Sequence, residues 1–201
     1  RLVGSEMCIR DSIIGILIFL NYLYYSKHLH IILAFPNTFY GSISSSGKLN
    51  NMQAVTNEVN IMMGKASDSE TSEEVRFGAS DVVDLSWLQI LNAYSCTECG
   101  RCTSACPANI TGKKLSPRKI MMDTRDRVEE VGRNIDKNGS FIDDNKKLLN
   151  DYVTKEELWA CTSCNACVEE CPISINPLSI IMDMRRSLVM EESSAPGEIN
   201  N

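Results

Sequence analysis

Histidine is nearly absent from this chain, with two among 201 residues, His28 and His30. That scarcity excludes zinc sites rich in imidazole and leaves little for histidine-based acid–base catalysis. Basic charge is also short: Lys and Arg number 20 against 26 Asp and Glu, a net of −6, which excludes a nucleic-acid role. No apolar run reaches the ~20 residues that a membrane helix needs. The longest, Ile13 to Tyr25, is interrupted by Gly15 and Asn21. No small-residue cleavage site follows it, so it is not a secretory signal. No phosphate-cradling loop is present, and little between the cysteine-rich regions alternates as a strand would.

What the chain does have is cysteine in a fixed order. Cys96, Cys99, Cys102 and Cys106 precede Pro107, and Cys161, Cys164, Cys167 and Cys171 precede Pro172. Both strings are C-x-x-C-x-x-C-x-x-x-C-P, the run that holds cubane clusters in bacterial-type two-cluster ferredoxins. A short loop wraps three corners of a [4Fe–4S] cube but cannot reach the fourth. In two-cluster proteins the last cysteine of each string crosses to the other cluster. By that rule Cys96, Cys99, Cys102 and Cys171 hold cluster 1, and Cys161, Cys164, Cys167 and Cys106 hold cluster 2. Eight of the nine cysteines are placed in this way; Cys8 has no role.

Two other readings of the thiols stand beside this one. Paired C-x-x-C motifs also bind structural zinc, which does not require four cysteines per string or the terminal Cys-Pro. Disulfides belong to oxidising compartments, whereas thiols this dense read as metal ligands in a reducing one.

The halves repeat beyond their cysteines. Ser116-Pro117 opens a helix carrying Ile120, Met121, Asp123, Arg125 and Val128, and Asn176-Pro177 opens one carrying Ile180, Ile181, Asp183, Arg185 and Leu188. Each has a capping residue followed by proline at the first helical position, where a missing N–H costs nothing. The methionines of these helices are expected to line the cluster pocket. Thr154 and Glu157 form a capping box for a helix leading through Trp159 into the second string. A similar helix with Leu85, Trp87, Leu88 and Leu91 leads into the first. Both tryptophans are expected in the core. Asn134 to Asn145 is a polar stretch with the composition of a loop. The fold class that follows is all-α: an α-helical ferredoxin with two [4Fe–4S] clusters.

Five segments are expected. Residues 1–11 (RLVGSEMCIRD) lack an initiator Met, fit nothing that follows and resemble translated adapter sequence. Residues 12–35 are the C-terminal part of a transmembrane helix and its interface: tyrosines at 22, 24 and 25 and then Lys27 mark the end of an apolar run. Residues 36–77 are a connector, with a serine-rich Gly41–Lys48, an amphipathic helix over Leu49–Met63 and an acidic Ser67–Glu74. Residues 78–190 are the dicluster domain, and 191–201 a polar linker. Lys113, Lys114, Arg118 and Lys119 form a basic group after the first string, a solvated face or a partner-docking patch.

The run Leu91 to Cys102, with Gly112 to Arg125 and Trp159 to Pro172, resembles membrane-associated iron–sulfur oxidoreductases of the heterodisulfide-reductase-like group. The resemblance implies a membrane section similar to cytochrome b or the nitrate reductase gamma subunit, followed by a helical dicluster ferredoxin. It implies the eight string cysteines as ligands and haem b in the membrane section, with His30 the first candidate axial ligand and His28 the second. It also implies a quinone and a redox partner bearing C-C-G motifs as partners, and a place at the cytoplasmic membrane of a prokaryote with the iron–sulfur domain on the cytoplasmic side. No C-C-G motif occurs in this chain, so substrate chemistry is not encoded here. The function expected is electron transfer between a membrane section and a catalytic domain. A soluble ferredoxin-like subunit of a dehydrogenase, and a structural module stapled by metal, are the alternatives.

Overall fold

The structure is a computed structural model that describes residues 2–26, 28–41, 51–64 and 76–197. Lys27, the serine-rich residues 42–48, Leu49 and the acidic stretch 67–74 lie outside the described residues. Ten α-helices follow one another among those described, with no strand beyond an isolated bridge at Leu149 and Val153.

The dicluster region is built as two similar passages. Helix α4 (Trp87–Ser95) begins at a capping box in which Ser86 and Gln89 satisfy each other's backbone N–H. It ends at Cys96, where the first string starts. Two one-turn helices follow, α5 (Arg101–Ser104) inside the string and α6 (Pro107–Ile110) after it, and then the long α7 (Pro117–Asn138). The second passage repeats this order: α8 (Lys155–Ala160) from the Thr154–Glu157 box, α9 (Ala166–Glu169) inside the string, and α10 (Pro177–Met190) after it. The proline starts are as the sequence predicts, with Ser116 accepting from the Lys119 N–H and Asn176 from the Ser179 N–H.

α7 packs on α4 and on α10, and α10 packs on α8. Ile120, Met121, Ile180, Ile181 and Leu188, which the helical spacing places in the core, are each at most 1% exposed, as are Leu158 and Met184, while Val128 of the same face is half-buried. Each such side chain contributes about 1.5–3 kcal/mol over an exposed one. Helix α7 runs past the expected boundary at Asn134 and stops at Gly139, whose φ of 78° closes the last turn in a left-handed cap. Helical hydrogen bonding outweighs the polar composition there.

A buried charge group joins this core to its flanks. Arg127 on α7 is fully buried. It donates to Asp81 (3.0 and 2.7 Å), to Asp144 (2.5 and 2.8 Å) and to the Lys146 carbonyl at 2.6 Å. Asp81 in turn accepts from the Leu148 N–H at 3.1 Å. Every polar atom has a partner, which is the condition for a charge to be tolerated inside. The Arg127 hydrogen bonds hold the Asp144 carboxyl down at about 2.

The N-terminal helices differ from the expectation. α1 spans Leu2–Leu23, so residues 2–11 continue the helix of the apolar run. Its apolar residues from Ile13 to Leu20 are 51% to 64% exposed, and among the described residues no helix is long and apolar enough to cross a membrane. α2 (Leu29–Gly41) passes through Pro36 and the expected boundary at 35, and it lies along α4. Asn37 is buried there, donating to the Ile173 carbonyl at 2.8 Å. α3 (Gln53–Met62), the expected amphipathic helix, leaves Val59 and Met62 of its apolar face exposed.

Candidate iron–sulfur centre

Each string folds into the same loop. In the first, Glu98 and Gly100 have φ of 60° and 82°; in the second, Ser163 and Asn165, at the same two offsets, have 56° and 61°. Only Gly adopts this region without a steric penalty, and Asn tolerates it. The positive φ values recur at matching positions, so the two strings share one loop shape. One consequence is that a backbone N–H turns back on the first sulfur: Ser163 N–H lies 3.4 Å from Cys161 Sγ, and the Glu98 N–H does the same for Cys96. Hydrogen bonds to sulfur are one of the levers that set a cluster's potential.

A cavity of about 250 Å³ opens at the first string. Cys96, Cys99, Cys102 and Cys171 line it, with Cys167 beside them. The remaining wall is largely apolar, including Met121, Pro172, Ile173 and Ile175. The structure thus brings the last cysteine of string two to the first three of string one. Cys161, Cys102, Cys106 and Cys164 all act electrostatically on Cys167, so thiols of both strings gather around it. α5 and α9 touch, which sets the two thiol groups side by side.

An all-thiol donor set around an apolar space fits a cubane. Ligands of a single zinc ion instead converge at about 2.3 Å from one point. Burial raises the Cys96 and Cys102 thiols, and burial together with the surrounding thiols pushes Cys167 up to about 12. Iron ligation needs thiolates, so it must release these protons.

Side chains outside the strings hold the loops. Arg125 on α7 pairs with Glu98 of the first loop at 2.6 Å. Arg185, its counterpart on α10, donates to the carbonyls of Leu158 and Cys161 at 2.5 and 2.6 Å and stacks on Trp159 at 5.0 Å. The passages are also tied crosswise through their capping boxes. Gln89 of α4 donates to Asp183 of α10 at 2.6 Å, and Lys119 of α7 pairs with Glu157 of α8 at 2.7 Å. Sequence reasoning gave these residues no holding role, although the recurrence of Asp and Arg at matching positions in the repeat was the available signal.

Other expectations divide. Trp159 is half-buried, but Trp87 is 60% exposed: it sits at the first position of α4, where α8 has Lys155, and meets Tyr40 edge-on at 5.0 Å. The basic group is split up, Lys114 pairing with Glu156 and Lys119 with Glu157 and Asp123, while Arg118 lines the cavity. His30 and Ala34 of α2 also line the cavity. His28 is exposed, its ring 6.0 Å from that of Phe19.

With this geometry in view, residues 95–175 match the 4Fe-4S dicluster domain. The chain therefore carries an iron–sulfur electron-transfer domain similar to those of oxidoreductases and of heterodisulfide reductases. It is 32% identical, over 88% of its length, to the probable iron-sulfur-binding oxidoreductase FadF of Bacillus subtilis, of which it covers 27%. It is 34% identical over 67% of its length to a probable membrane-anchored ferredoxin of Chromohalobacter salexigens, covering 22% of that protein. Over 53% of its length it is 35% identical to one of the subunits of the ferredoxin/F(420)H(2)-dependent CoB-CoM heterodisulfide reductase of Methanosarcina acetivorans, covering 52% of it. The chain thus spans about a quarter of the first two relatives and about half of the third. No solved structure matches it.

Proposed function

We propose that this chain is the electron-relay section of a membrane-associated oxidoreductase. Cys96, Cys99, Cys102 and Cys171 hold one [4Fe–4S] cluster, and Cys161, Cys164, Cys167 and Cys106 hold the other. The observation that carries this reading is the cavity where three cysteines of one string meet the last of the other. The clusters supply one-electron chemistry; the chain supplies ligation, burial and N–H donors to sulfur, which set the potentials. Arg125 and Arg185 keep the loops in place.

The relay runs between a membrane section, linked to quinone or haem b, and a partner or domain that carries the substrate chemistry. Support for the membrane side comes from the exposed apolar length of α1 and from the relative named a membrane-anchored ferredoxin. In this reading the iron–sulfur domain faces the cytoplasm of a prokaryote. Of the two histidines proposed for haem b, His28 lies clear of the thiols, whereas His30 belongs to the cavity wall.

A second reading rests on α2. Because it packs on α4 and helps wall the cavity, α1 and α2 would be the docking arm of a ferredoxin-like subunit rather than a membrane anchor. Partitioning of the chain into lipid vesicles separates the two.

The central test is anaerobic iron and sulfide analysis with a potential-poised EPR titration. About eight irons and eight sulfides with two interacting reducible centres are expected. Zinc, or centres that never change oxidation state, would overturn the relay.

A further inference from the structure

The two cluster sites share a loop but not a charge environment. At the first string the cavity wall includes Arg101 of α5 and Arg118 of α7. The Arg118 guanidinium lies over Gly100 in the loop, 3.8 Å from where a Cβ would stand. A third cation, Arg125, is neutralised by Glu98 at 2.6 Å. At the second string the position matching Arg101 is Ala166 and that matching Arg118 is Leu178. There α9 ends in Glu169 and its cap Glu170, both exposed and both between Cys167 and Cys171. Arg185, on the Cys161 carbonyl, is the cation of that side. The other nearby lysines, Lys114 and Lys119, are already paired with carboxylates.

A cube with four thiolates carries about 2− when oxidised and one charge more when reduced. Fixed cations favour the added electron, and carboxylates oppose it. We infer that the two clusters are unequal by construction: the one held by Cys96, Cys99, Cys102 and Cys171 has the higher potential, with Arg101 and Arg118 as positioning residues that act through charge. Burial under α2 works the other way, since a dry wall disfavours added charge. Yet each site keeps one exposed thiol, Cys99 and Cys164, so neither is a dry site, and what differs in sign between them is the fixed charge. An electron arriving at the second-string cluster then passes to the first-string cluster. The former is reoxidised as the latter is reduced, and no proton moves or bond breaks. The electron comes to rest on the side walled by His30 and Ala34, against α2.

The inference rests on the relay proposed above, and the experiment keeps the two apart. Iron and sulfide are counted first on the full chain under anaerobic conditions; a low count sinks the relay itself. With both clusters present, Cys99→Ser and Cys164→Ser assign the EPR signals, since a changed or lost signal names its cluster. In the titration the first-string cluster is expected to dominate at half-reduction by about tenfold or more, which is about 59 mV for one electron. The double variant Arg101→Gln/Arg118→Gln should lower that potential alone, and Arg118→Lys should leave it in place. Glu169→Gln/Glu170→Gln should raise the other. All four side chains are exposed, so folding is preserved. Reduction of the second-string cluster first, or an arginine variant that moves neither potential or both equally, would overturn the inference.

Discussion

α7 and α10 are the two copies of one helix, and one pair of matching buried positions puts them to different uses. Ten residues after its first proline, α7 has Arg127; at the same distance α10 has Ser187, and both are buried. Arg127 reaches outward to Asp81 and Asp144 and fastens the polar segments on either side of the first passage. Ser187 is small, and its backbone leaves room for Gly78 to lie against the helix. A duplicated helix has thus been used once as a clamp and once as a seat, while the cluster loops stayed alike. The shared shape belongs to the thiol loops, and the differing residues decide how the rest of the chain closes around them.

The comparison can be broken most strongly at the clamp. Arg127→Met leaves Asp81 and Asp144 without their cation, and a loss of about 3–5 kcal/mol in chemical denaturation is expected. The seat comes next. In Gly78→Ala the new Cβ would stand 2.2 Å from the Asp183 carbonyl and 2.6 Å from the Ser187 N–H, at a φ of +81°. Overpacking costs about 1–3 kcal/mol and the left-handed conformation about 1–2 kcal/mol more, read as a fall in Tm.

Acid sharpens the comparison further. Asp144 is held at about 2, below its ordinary 3.8, so its contribution is fully present above about 4 and is lost as pH falls through about 2. Asp144→Asn should flatten the pH dependence of stability in that window, while a change on the Ser187 side should not. The smallest effect is expected at Trp87: being 60% exposed, its change to Ala should cost well under the ~3–5 kcal/mol of a buried Trp. Trp159→Ala, which removes the surface on which Arg185 stacks, should cost more in parallel thermal unfolding.

The thiol loops and helix starts were legible because their chemistry is local. Cysteine spacing, a capping Ser or Asn and a proline at the first turn each act within a few residues. Ile180, Ile181 and Leu188 were legible for a related reason, since one helical face must be buried. What escaped was set by long-range geometry. The pairing of Gln89 with Asp183 joins residues 94 positions apart, and Arg127 carried no mark in the sequence to separate it from a surface arginine. Trp87 misled because hydrophobicity says what a residue prefers, whereas its place at the first turn of α4 says what it can reach. The contact of α2 with the cavity was hidden too, for its apolar residues looked like a membrane interface.

Gly78 has one more consequence. The Ala79 N–H donates to the Asp183 carbonyl at 3.0 Å and the Phe77 N–H to Glu191 at 2.9 Å, so the chain enters the dicluster domain beside the place where it leaves. A module with adjacent entry and exit can be spliced into a host polypeptide at one point without forcing the flanking parts away from each other. Circular permutants that join these two points and open the Asn138–Phe141 turn should remain foldable.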